Sequence, residues 1–109
     1  MKTKQFLIRT SDGGVTIADG TLLPEHSDLA VVKSDEMKLR FSIIDVASGL
    51  MVLSDSTKKK LLSRWETNGN TLLERIDKAR ILPRYEQRCT QLKAYIDRYK
   101  AKGIEVYYL

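Results

Sequence analysis

The chain has 109 residues, 42% of them hydrophobic and 30% charged, with a formal net charge of +5 at pH 7. Six glycines, two prolines and one cysteine exclude a disordered or collagen-like chain, an internal disulfide and a cysteine metal cluster. No apolar run reaches the roughly 18 residues that a membrane helix needs. Phe6-Leu7-Ile8, ended by Arg9, is too short for a signal peptide, so the cytoplasm is the expected compartment.

Lys4 to Thr10 alternates, with Phe6 and Ile8 on one face and Gln5, Leu7 and Arg9 on the other. Ser11-Asp12-Gly13-Gly14 supplies turn residues that tolerate positive φ, and Val15 to Ala18 returns as a second short strand. Asp19-Gly20 marks another reversal. Leu22 and Leu23 precede Pro24, and Glu25 to Asp28 reads as a polar loop. Leu29 to Lys33 is a third strand, followed by a turn at Ser34-Asp35-Glu36. Leu39 to Ile44 is the clearest strand, with Leu39, Phe41 and Ile43 facing one way and Arg40, Ser42 and Ile44 the other. Asp45 to Gly49 turns the chain, and Leu50 to Leu53 returns. The pattern predicts an antiparallel sheet with one good apolar face.

Ser54, Asp55 and Ser56 are candidate helix caps before Thr57. Leu61, Leu62 and Trp65 recur at helical spacing. Asn68-Gly69-Asn70 interrupts the pattern, and Thr71 with Glu74 has the form of a capping box, so a second helix is read from there. One helix over about 57–82 is the alternative, because Leu62, Trp65, Gly69, Leu72, Ile76 and Ala79 keep a 3-4 spacing through the interruption. Trp65 is expected to lie mostly buried between sheet and helices. Pro83 suits the first turn of the next helix, about 84–102, whose apolar stripe is Tyr85, Cys89, Leu92, Ile96 and Tyr99. Gly103 is placed to end it. Ile104 to Leu109 reads as a closing strand. The whole is an α+β fold over 1–109 as a single domain: a sheet-forming part (1–55) of four or five strands, a basic part (56–103) of two or three helices, and a C-terminal strand (104–109).

Charge is divided unevenly. Residues 1–55 carry six Lys and Arg against eight Asp and Glu, whereas residues 56–102 carry thirteen against five. Lys58, Lys59 and Lys60 open the first helix, and Arg64 follows Lys60 by one turn. On the last helix Arg84, Arg88, Gln91, Tyr95, Arg98 and Lys102 form a polar stripe beside the apolar one. Cations bind phosphates, and an aromatic among them can meet a base or an apolar side chain. Lysines and arginines also cover ordinary solvated helix faces, which is the plainer reading.

Leu39 to Leu62, a hairpin running into a helix that starts Ser56-Thr57-Lys58-Lys59, resembles the end of a double-stranded-RNA-binding domain. That domain's first helix has no counterpart in residues 1–38, which read as strands, and its glycine-rich hairpin is missing, so membership does not follow. Cys89 falls on an apolar stripe and His26 in a loop, and no nucleophile, metal or phosphate-loop motif accompanies them. The expectation is a small non-catalytic nucleic-acid-binding protein acting through Lys58, Lys59, Lys60, Arg64, Arg84, Arg88, Tyr95, Arg98 and Lys102, with DNA or RNA as partner and no cofactor or metal. The alternative is a protein-interaction module, an inhibitor or adaptor, that covers an acidic partner surface. A small enzyme with a site assembled from scattered residues is the third reading.

Overall fold

Five strands form one antiparallel sheet in simple chain order: β1 (Lys4–Arg9), β2 (Val15–Leu23), β3 (His26–Lys33), β4 (Phe41–Asp45) and β5 (Met51–Asp55). Two helices follow, α1 (Lys58–Arg80) and α2 (Pro83–Ala101). The structure, a computed structural model, describes residues 3–10, 12–33 and 41–108. The turn expected at Ser34–Glu36, the strand residues Leu39 and Arg40, the turn residue Ser11 and the terminal Leu109 lie outside the described residues.

Both sheet faces are apolar, where one was expected. The face covered by helices is divided between them. α1 lays Leu61 and Ile76 on Leu23, Leu29, Val31 and Ile43. α2 lays Leu92 and Ile96 on Leu7, with Val15 and Ile17 alongside. The opposite face buries Phe6, Ile8, Ala18, Ala30, Val32, Ile44 and Val46, and neither helix contributes to that cluster. The sheet covers it by curling. In a flat sheet β1 and β4 would stand about 14 Å apart, three strand spacings. Instead the Arg9 N–H donates to the Gly49 carbonyl in the β4–β5 turn at 3.2 Å. The small Ala18 and Ala30 suit the inside of such a curl.

Gly20 is not a reversal. β2 runs straight through Asp19-Gly20, and a Cβ at Gly20 would stand 2.2 Å from the Val31 carbonyl of the neighbouring strand. The glycine permits close strand approach, and the turn comes later, at Pro24-Glu25, with Glu25 at φ 69°. His26 to Asp28 therefore belongs to β3 rather than to a loop.

Asn68-Gly69-Asn70 is not a break either. α1 is one helix of 23 residues. Gly69 costs about 1 kcal/mol of helix propensity. Against that, the helix buries Leu61, Leu72 and Ile76 on one continuous face, each worth roughly 1.5–3 kcal/mol when fully buried. Thr67 and Asn68 donate their side-chain hydrogens back to the carbonyls of Ser63 and Arg64, so these polar residues are satisfied within the helix. The cap is Thr57, whose hydroxyl accepts from the Lys60 N–H at 3.2 Å. Trp65 sits half-buried at the margin of its cluster, edge-on to His26, rather than between the layers. Pro83 opens α2 as expected, and Gly103 at φ 84° follows its end.

Among the described residues the C-terminal segment, 104–108, forms no strand. Within them it makes one backbone bond to β1, from the Tyr107 N–H to the Gln5 carbonyl at 2.7 Å. Its side chains nevertheless alternate: Tyr107 joins the inner cluster edge-on to Phe6, while Val106 and Tyr108 pack under α2. Side-chain packing rather than a ladder holds it, and the other end of β1 is already occupied by Gly49.

Candidate functional site

The basic stripe of α2 faces the β1–β2 turn across a cleft of about 400 Å³, lined by Arg88, Gln91, Ala94, Tyr95 and Arg98 from the helix and by Arg9 and Gly13 from the sheet. Arg9 enters through strand alternation. It shares a face with Leu7, and α2 covers that face. Its guanidinium is half-buried and oriented by two carbonyls: Nε donates to the Ser48 oxygen at 2.9 Å and Nη2 to the Arg88 oxygen at 2.7 Å. Loss of solvation lowers the Arg9 pKa, and the nearby Arg88 charge lowers it further. Among the described residues only Arg64 and Arg80 form ion pairs, so Arg9, Arg88 and Arg98 face the cleft without a paired carboxylate. In the adjoining turn, Asp12 is taken up locally. Its carboxylate accepts from the Thr10 hydroxyl and the Gly14 N–H, and these bonds hold its pKa below the usual range, the Thr10 bond most of all.

Of the residues expected from sequence, the cleft brings together Arg88, Tyr95 and Arg98. Arg84 lies exposed on the same helix and Lys102 just past its end, both beyond the lining residues. Lys58, Lys59 and Lys60 are exposed at the start of α1, and Lys58 lines a different cleft with Thr3, Lys33 and Phe41. Arg64 is engaged with the end of β5, donating to the Ser54 carbonyl at 2.9 Å and pairing with Asp55 at 3.3 Å. Tyr95 is half-buried, and the Arg98 guanidinium lies 5.4 Å from its ring centroid. Arg9 was missed as a site residue, although a charged side chain on the face of Leu7 was its visible signal.

A second cluster sits where the β4–β5 turn meets the helix junction. Asp45 is buried and accepts from Arg80 Nη2 at 2.7 Å, the Tyr85 hydroxyl at 2.7 Å and the Ser48 hydroxyl at 2.6 Å. Arg80 Nη1 pairs with Asp28 at 2.6 Å. Burial opposes the charge on Arg80, but the two carboxylates outweigh it and hold its pKa above the ordinary value. Burial, then Asp45, pushes the Tyr85 pKa up, and burial does the same to the Cys89 thiol. A carboxylate with three donors and two groups held protonated make a structural tie, not an acid–base pair. Beside it lies a cleft of about 230 Å³ lined mainly by Leu50, Met51, Val52, Leu72, Ile76 and Ala79. Among the described residues no group of His, Cys, Asp and Glu is placed to hold a metal ion, and no helix is long and apolar enough to cross a membrane. Comparison with protein-family models, with curated proteins and with solved structures finds no match.

Proposed function

We propose that the protein binds nucleic acid, DNA or RNA, without catalysis, through the cleft between α2 and the β1–β2 turn. One observation carries this reading: Arg9, Arg88 and Arg98 line one cleft, and among the described residues no carboxylate is paired with any of them. Like charges held together cost free energy, and a bound polyanion offsets that cost. The contacts available are to phosphate, so binding is tolerant of sequence. Phosphate contacts release counterions, so log K falls as log salt rises. The test is a titration of labelled single-stranded and duplex probes at about 50 mM and at physiological salt. Binding should weaken with salt, and R88E with R98E should abolish it while leaving the melting curve unchanged. Absence of binding at the lower salt with micromolar protein rejects the reading.

One observation favours a protein partner instead. Ile81 is 82% and Leu82 56% exposed at the helix junction, and Leu50 and Met51 are exposed at the apolar cleft. On that reading I81D with L82S removes binding of the partner and leaves nucleic-acid titrations unchanged.

A further inference from the structure

We infer that the cleft takes a phosphate monoester, the free end of a nucleic-acid strand, in preference to the diesters between nucleotides; this rests on the nucleic-acid reading above. The argument begins with Arg9. Surface arginines lose rotamer freedom when they bind. Arg9 has lost much of it already, because the Ser48 and Arg88 carbonyls fix its guanidinium in a half-buried position. It lines the cleft from this fixed position. The cleft is walled by the turn at Gly13 on one side and by α2 on the other. A phosphate inside a continuous strand carries chain in both directions, whereas a terminal phosphate carries it on one side only and leaves three oxygens open to Arg9 and its neighbours.

Charge points the same way. An internal diester carries one negative charge. A monoester carries about 1.5 to 2 at neutral pH and presents three acceptor oxygens. Arg9, Arg88 and Arg98 together supply three positive charges that the described residues leave without an ion pair. Arginine forks suit a group with several oxygens, since two parallel N–H···O bonds form to each fork. Gln91 and the Gly13 turn add polar and open surface without a side chain that would block the entrance; a Cβ at Gly13 would meet nothing within 4 Å.

The experiment uses the full chain and three labelled single strands of one sequence: with a 5′ phosphate, with a 3′ phosphate, and with hydroxyls at both ends. Affinity is read by anisotropy at physiological salt, with inorganic phosphate and a nucleoside monophosphate as competitors. The strands with a terminal phosphate should bind about tenfold more tightly than the hydroxyl strand. R9Q should remove that preference. Should R9Q fail to fold, R88Q and R98Q carry the test, since neither guanidinium donates a hydrogen bond within the described residues. Each should reduce the preference to under about threefold at an unchanged melting temperature. Equal binding of all three strands overturns the inference and leaves the nucleic-acid reading standing. A preference that survives both R88Q and R98Q also overturns it. A nucleoside monophosphate that binds as tightly as the phosphorylated strand overturns it in favour of a small-molecule ligand. No binding of any strand at low salt overturns the parent reading with it.

Discussion

Asp45 shows how much one side chain can organise. It joins the β4–β5 turn through Ser48, α1 through Arg80 and α2 through Tyr85. Asparagine at this position removes the charge that faces Arg80 and leaves a single acceptor oxygen for the three donors, so part of the tie is lost. D45N should therefore cost about 3 kcal/mol, read from urea denaturation. An effect under about 0.5 kcal/mol would show that the tie contributes nothing. The raised pKa values nearby set a pH window. Cys89 and Tyr85 are held protonated in the fold and ionise at ordinary values, near 8.5 and 10, when unfolded. Their stabilising contribution is complete below those values and is lost as pH rises through them toward the folded pKa. Stability should therefore fall progressively above about pH 8.5, and C89A should remove the first part of that fall. By the same reasoning Cys89 should react with a thiol reagent at pH 7 more slowly than a free cysteine, because its thiolate fraction is smaller.

At the scale of the elements, two glycines misread from sequence make opposite predictions. Gly69 lies inside α1, where an added Cβ would meet the Trp65 ring at 3.8 Å, an ordinary contact. G69A should stabilise the protein by about 0.5–1 kcal/mol, measured as a rise in urea midpoint at constant slope. Gly20 lies where β2 and β3 press together, with the Val31 carbonyl 2.2 Å from an added Cβ. G20A should destabilise by about 1–3 kcal/mol. The strands around Phe6-Ile8 and Phe41-Ile44, the last helix and its Pro83 start were legible, because alternation and 3.6-residue periodicity depend only on neighbours in the chain. The glycines were not. Whether a glycine marks a turn, a close approach or a tolerated helix position depends on what lies opposite, and a single sequence does not contain that. The site divides along the same line. Arg88 and Arg98 were visible as a stripe on one helix. Arg9 completes their cleft from 79 residues away, through strand alternation and a covering helix.

For the whole molecule, the curl gives the sheet two interiors with different covers. Phe6 and Tyr107 close the inner one and the helices close the outer one. The C-terminal segment takes part in both, so Y107A should cost about 3 kcal/mol although its backbone belongs to no strand. The matching exchange experiment should show protection at the Tyr107 amide and faster exchange at its unbonded neighbours. Sheet and helices share their apolar faces, so thermal unfolding should be one transition by both near- and far-ultraviolet dichroism. Two separated transitions would mean that the inner cluster survives the loss of the helices.

The bonds that Arg9 makes to Gly49, Ser48 and Arg88 join the first strand to a turn and a helix far along the chain. Neighbouring strands here pair through short connections, which are quick to close, whereas these bonds enclose long loops and come late. During synthesis the sheet leaves the ribosome before α2 exists. Through that interval Arg9 lacks Arg88 and Arg98, and the cleft has only one wall. A nascent or truncated chain ending before α2 therefore lacks the wall that completes the cleft. On the proposed reading, binding of a phosphorylated strand should lag behind the recovery of sheet dichroism in refolding from urea, because the cleft reports completion of the slowest closure rather than the presence of the sheet.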